Sequence, residues 1–140
     1  MTNKSVKVIF DTNVWISFLI GKRLSSIKNH IVNGSIVIII SDQLLEEIKL
    51  VTSRKKLKKY FDEQDVKELI ELLEIIAVKI KIRQKFILSR DPKDNFLFDL
   101  IYASKADFLV TGDKDVLVHH PFKSAQILTP ADFEKQLSFI

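Results

Sequence analysis

Val6-Lys7-Val8-Ile9-Phe10-Asp11-Thr12-Asn13 is the stretch on which the fold turns. Apart from Lys7 its first five residues are apolar and rich in β-branched side chains, the composition of a short strand. Asp11, Thr12 and Asn13 can end that strand and cap a helix after it, so the predicted order is strand, turn, helix. Ile36 to Ile40 repeats the pattern: it is too continuous for a half-exposed strand, reads as a buried parallel one, and ends in Ser41-Asp42, a helix start. Leu44, Leu45, Ile48 and Val51 then recur at helical spacing, and Val66, Leu69, Ile70, Leu73 and Ile76 do so again, predicting two helices joined near Tyr60 to Asp62. Val78, Ile80 and Ile82 alternate with Lys79, Lys81 and Arg83, which predicts a strand with one buried and one basic face. Asp94 to Ala106 reads as a helix, Phe108 to Val110 and Gln126 to Leu128 as strands, and Thr129-Pro130 as the start of a last short helix. Strands alternating with helices imply an α/β sandwich around a mainly parallel sheet.

The composition agrees with one compact domain over residues 1–140: 46% of the residues are hydrophobic, with three Gly and three Pro in 140 residues. With no cysteine, disulfides, thiolate metal sites and cysteine nucleophiles are excluded, and any metal is held by oxygen or imidazole. The N-terminal residues carry no signal-peptide pattern, and Ile36 to Ile40 is far too short to span a bilayer, so a soluble protein of the reducing cytoplasm is expected. A net charge of +4 favours an anionic partner, with basic clusters at Arg54, Lys55, Lys56, Lys58 and Lys59 and at Lys79, Lys81, Arg83 and Lys85. Solvated helix ends and strand faces carry such clusters too.

In an open parallel sheet the ligand crevice lies beyond the carboxyl ends of the strands. Acids occupy those places repeatedly: Asp11 after the first strand, Asp113 and Asp115 after Phe108 to Val110, Asp94 at the start of the preceding helix, and Glu47 in the helix after Ile36 to Ile40. Singly each has a plain explanation as a cap or turn former. Glu46 lies roughly 170° from the centre of its helix's apolar stripe and Glu47 about 90°, so Glu47 is the better candidate to lean into the crevice. Converging carboxylates repel one another and call for a cation; all-oxygen ligation favours Mg²⁺ or Mn²⁺, and the expected chemistry is phosphodiester hydrolysis.

The chain resembles the PIN-domain nucleases, and in particular the PIN-type toxins of prokaryotic toxin and antitoxin pairs. The resemblance is carried, in family order, by Val8-Ile9-Phe10-Asp11-Thr12-Asn13-Val14, by Ser41 with Leu44-Leu45-Glu46-Glu47, by Arg90-Asp91-Pro92-Lys93-Asp94-Asn95, and by Val110-Thr111-Gly112-Asp113-Lys114-Asp115. It implies a PIN-like three-layer α/β/α sandwich in which Asp11, Glu47, Asp94 and Asp113 are the catalytic, metal-binding acids, with Asp115 a fifth candidate ligand. Thr12, Asn13, Ser41 and Thr111 become polar supports. Asp91 competes with Asp94 for the third acidic role; Asp94 is preferred for its place at a helix start and its spacing to Thr111-Gly112-Asp113. Phe96, Phe98 and Tyr102, bulkier than the small residues many members have there, are expected to narrow substrate access.

The resemblance further implies a Mg²⁺- or Mn²⁺-dependent ribonuclease acting on single-stranded or loop RNA, a homodimeric state, and a cognate antitoxin covering the crevice. Arg54, Lys55, Lys56, Lys58 and Lys59 are its candidate RNA-binding residues. Trp15, Tyr102 and the phenylalanines are either base-stacking residues or, more commonly for such side chains, core. The competing reading is a PIN-fold module that binds RNA or protein without useful activity. A receiver-type phosphoacceptor fits worse, because no adjacent acidic pair follows an early strand of this chain, and the three glycines form no Gly-x-Gly-x-x-Gly turn for a dinucleotide. His30, His119 and His120 make no metal-spaced set with the acids.

Overall fold

The computed structural model describes residues 5–137. Five strands and seven α-helices occur in the order β1 (Val6–Phe10), α1 (Thr12–Ile20), α2 (Leu24–Val32), β2 (Ile36–Ile40), α3 (Asp42–Thr52), α4 (Glu63–Ile75), β3 (Val78–Lys79), α5 (Asn95–Ser104), β4 (Phe108–Val110), α6 (Lys114–Leu117), β5 (Gln126–Leu128) and α7 (Pro130–Leu137). Single 3₁₀ turns cover Lys55–Leu57 and Pro92–Asp94. No helix among the described residues is long and apolar enough to cross a membrane.

The strands form one sheet in the order β3-β2-β1-β4-β5, and every pair is parallel. Val8 faces Ile38 on one side and Phe108 on the other, so β1 is central. Its Val8, Ile9 and Phe10 are fully buried, as a strand covered on both faces requires. Right-handed crossovers leftward from β1 to β2 to β3 put α1 to α4 on one face, and those rightward from β3 to β4 to β5 put α5 and α6 on the other. Phe133 of α7 packs edge-on against Phe10, ring centroids 5.6 Å apart, and so joins the α1 layer. The strand order reverses between β1 and β4, and at such a switch point the loops leaving neighbouring strands splay apart and open a crevice.

Three elements differ from the sequence reading: β3 is shorter than expected, and α2 and the one-turn α6 were not anticipated. The strand expected over Val78, Ile80 and Ile82 is only two residues long, pairing Val78 with Ile39 and Lys79 with Ile40. Its partner ends there: Ile40 still accepts the Ile80 N–H at 2.8 Å, but at Ser41 β2 gives way to α3 and leaves no ladder to extend. Ile80 and Ile82 pack against the core from a loop, while Val78 is exposed, and Lys79 is paired with Asp42 at 3.2 Å. The second difference is α2, a helix that carries no side-chain cap and buries mainly Ile27 and Ile31.

Candidate active site

Asp11 sits at the carboxyl end of β1, its N–H donating to the Val110 carbonyl of β4 at 3.1 Å, so backbone pairing fixes its place at the switch point. Its side chain is buried and doubly committed. Oδ1 accepts the Val14 N–H at 3.0 Å, capping α1, and Oδ2 accepts the Thr111 hydroxyl. Thr111 is fully buried, and its Oγ1 in turn accepts the Asp113 N–H at 3.1 Å, linking the loops after β1 and β4. Burial raises the Asp11 pKa above the usual carboxylate value; the Thr111 and Val14 hydrogen bonds oppose this, and the Asp113 and Glu47 charges add to it.

Asp113 caps α6 by accepting the Asp115 N–H at 2.9 Å. Asp94 closes the 3₁₀ turn that Pro92 opens and that Asp91 caps by accepting the Lys93 N–H at 3.1 Å. Asp91 thus acts as a local cap, and it is Asp94 whose carboxyl reaches the crevice. Burial, first, and then the Asp113 carboxyl within hydrogen-bonding reach push the Asp94 pKa up to about 7, with the Asp91 and Asp11 charges adding to the shift. Two carboxyls so placed must share a proton or a cation.

Asp11, Thr12, Asn13, Glu47, Asp94, Phe96, Leu97 and Asp113 line one crevice with room of about 30 Å³ for a water-sized body. The four acids singled out in the sequence therefore meet there, and Glu47 rather than Glu46 reaches it. Glu46 points outward, its oxygen 3.9 Å from Lys49 Nζ. Asp115 is not among the lining residues, and Ser41 stands back from them as the cap of α3, accepting the Leu44 N–H at 3.2 Å. Of the three bulky residues expected to narrow access, Phe96 lines the crevice. Phe98 is buried against Phe122 and His119, and Tyr102 lies outside the lining. Trp15 is fully buried between Phe10 and Phe18 and stacks on nothing external.

The residues present suit a hard divalent cation. Every donor is an oxygen, and among the described residues the buried side-chain atoms left without a hydrogen-bond partner are Thr12 Oγ1 and Asp94 Oδ2, both from crevice residues. Equally, among the described residues no three acidic or histidine side chains stand in a ready-made metal-binding group.

Two buried residues to which the sequence reading gave no role support the site, Asn95 at the end of the third motif block and Asp99 beyond it. On one face of α5, Asn95 Oδ1 accepts the Leu88 and Ser89 N–H groups at 3.0 and 2.8 Å, and Asp99 Oδ1 accepts those of Lys85 and Phe86, both at 2.9 Å. They fasten the loop that delivers Asp91 and Asp94. The signal was legible as a polar pair four residues apart in an otherwise apolar helix.

The family model for the PIN domain matches residues 7–115, a span that holds all four acids. The uncharacterized protein MJ1680 of Methanocaldococcus jannaschii is 33% identical over 120 residues, covering 84% of this chain and 77% of that protein. Among solved structures, the chain is similar in fold to the PIN domain of human SMG5 (TM-score 0.51, 13% identity, 94% of this chain and 98% of that one). It is similar to PAE2754 from Pyrobaculum aerophilum (TM-score 0.53, 11% identity, 99% of each) and to the T. brucei RRP44 PIN domain (TM-score 0.53, 10% identity, 98% and 83%). With its acids gathered at the β1/β4 switch point and a PIN model spanning most of its length, the chain belongs to the PIN domain family, whose members are generally nucleases that use divalent metals.

Proposed function

We propose that this PIN domain is a Mg²⁺- or Mn²⁺-dependent endoribonuclease that hydrolyses phosphodiester bonds of single-stranded or loop RNA. The observation that carries the reading is the crevice itself: four carboxylates around about 30 Å³, with Asp94 Oδ2 and Thr12 Oγ1 buried and unpartnered. When bound, a hard divalent cation supplies an acidified water and offsets charge on the attacked phosphate. Asp11, Asp94 and Asp113 would hold it, with Asp11 oriented by Thr111. Glu47, at the solvent side of the crevice, accepts the proton of the attacking water, and Asn13, exposed at the rim, donates to a phosphate oxygen. The Asp115 backbone N–H steadies the Asp113 carboxylate, and the Asp115 side chain is kept as the fifth candidate ligand that the motif resemblance implies.

The toxin role, with an antitoxin over the crevice and a homodimeric state, belongs to the same proposal and rests on the motif resemblance. RNA binding by Arg54, Lys55, Lys56, Lys58 and Lys59 is part of it too and rests on charge: all five are exposed around the 3₁₀ turn after α3 and, among the described residues, are in no ion pair. The competing reading is a binding module of the same fold without activity.

Incubation of single-stranded RNA with the purified protein and Mn²⁺, with and without EDTA, separates the two. Cleavage that needs the metal and is lost in Asp94→Asn is expected. Cleavage undiminished by chelator overturns the metal mechanism, and RNA binding without cleavage in any divalent metal favours the module.

A further inference from the structure

Away from the crevice, the face of α5 that carries Asn95 and Asp99 continues to Tyr102, a further turn along at helical spacing. The loop pinned by Asp99 runs beside it and brings Phe86 against Tyr102, ring centroids 5.4 Å apart, and Lys85 Nζ to 4.1 Å over the Tyr102 ring. Phe86 is backed by Phe122 at 5.1 Å, which packs on buried Phe98 at the same distance, so the platform is anchored to the core. Lys123 Nζ lies 5.7 Å from the Phe86 ring and 5.9 Å from that of Phe122. Tyr102 remains 45% exposed. The hydrogen bond and charge of Lys85, then Lys123 and Lys105, lower its phenol pKa, so three ammonium groups bear on one ring.

Two of those lysines occupy backbone positions that disfavour them. Lys105, at the end of α5, has φ 56°, and Lys123 has φ 50°, the left-handed region where glycine carries no strain. Lys22 shares this conformation, but it lines a hollow with Asp62, Asp65 and Glu68, whose charge accounts for a cation there. Among the described residues Lys85, Lys105 and Lys123 form no ion pair. The backbone accounts for both conformations, Lys105 as the left-handed cap of α5 and Lys123 in the turn closed between Phe122 and Ala125, but it does not call for a lysine at either place, and cations free of carboxylate partners around an exposed aromatic ring suit a phosphate backbone with unstacked bases.

We propose that Tyr102, framed by Lys85, Lys105 and Lys123, is a docking subsite for single-stranded RNA, stacking one base and gripping its phosphates beside the segment that enters the crevice. The proposal rests on the ribonuclease reading. Tyr102 lies eight residues beyond Asp94, a rise of about 12 Å at helical spacing.

The test is binding of fluorescein-labelled single-stranded oligouridylate in EDTA, with a thermal melt for each variant. Tyr102→Ala weakens binding about tenfold while Tyr102→Phe, which keeps the ring, binds as wild type. The Lys105→Gly/Lys123→Gly double variant is the sharper probe: it melts at the same or a higher temperature, yet binds more weakly, with a log–log salt slope shallower by about 0.7 per lysine. Variants that fold and bind like wild type overturn the subsite and leave the ribonuclease proposal standing. Wild-type protein that binds no RNA overturns both.

Discussion

Asp11 has two roles that substitutions can separate. As a cap it holds the first turn of α1 through Val14, and as a buried carboxylate it takes the Thr111 hydroxyl and faces the other acids. Asp11→Ala removes both, so it is expected to lose activity and also about 1–2 kcal/mol of stability, the range for a lost N-cap. Glu47 is different, because it is exposed and no hydrogen bond or ion pair of the described structure rests on it. Glu47→Gln is therefore expected to abolish RNA cleavage with an unchanged melting temperature, while Glu46→Gln, on the outward face beside Lys49, changes neither. Cleavage rates and melts of the three variants check this; equal loss of activity in both glutamate variants would place the wrong side chain in the crevice.

At the scale of elements, the segment between β3 and α5 is the one whose order depends most on individual side chains. It has little regular structure, and four of its N–H groups end on Asn95 and Asp99. Asp99→Ala leaves the Lys85 and Phe86 N–H groups without their acceptor and is expected to cost about 2 kcal/mol, whereas Asp99→Asn, which keeps Oδ1, costs much less. Amide hydrogen exchange checks it: the Lys85 and Phe86 amides are expected to exchange faster in the alanine variant while those of β1 keep their protection. This segment also marks where sequence reading gave out. β1, β2, β4 and β5 were legible because short runs, apolar but for Lys7 and Gln126, that end in capping or turn-forming residues carry their own boundaries. The alternation at Val78, Ile80 and Ile82 misled, since strand length depends on the partner, and β2 ends at Ile40. In α2, where Ile27 and Ile31 are the buried hydrophobics among the described side chains and there is no capping side chain, the helix rests on tertiary contact that no local pattern announces. The acids were legible as a set because topology brings strand ends together. The cluster around Tyr102 was not, because Lys85, Tyr102 and Lys123 meet only through the fold.

For the whole molecule, gathering acids at the switch point sets fold stability against function, and pH and metal should expose the conflict. Asp94 has a pKa of about 7 in the folded chain against an ordinary value of 3.8. Between those values the unfolded chain has released a proton that the folded chain keeps, so folded stability falls as pH rises through the window and the loss is complete above the folded value. Without metal, the wild-type protein is therefore expected to melt higher at about pH 5 than at about pH 8, so far as Asp94 governs the difference. Asp113→Asn removes the charge beside Asp94 while its amide oxygen can still accept the Asp115 N–H that caps α6. Its melting temperature in EDTA at the higher pH should equal or exceed that of wild type, by up to about 1 kcal/mol of relief, with a flatter pH dependence. Mn²⁺ should reverse the order, because it binds the folded state with deprotonated acids: wild type gains stability, more at high pH than at low, and Asp113→Asn gains little. An aspartate that served only as the cap of α6 would behave otherwise, with Asp113→Asn no more stable than wild type in EDTA and both proteins indifferent to Mn²⁺. Thermal melts of the two proteins at both pH values, in EDTA and in Mn²⁺, decide between a site under electrostatic tension and four acids that are merely neighbours.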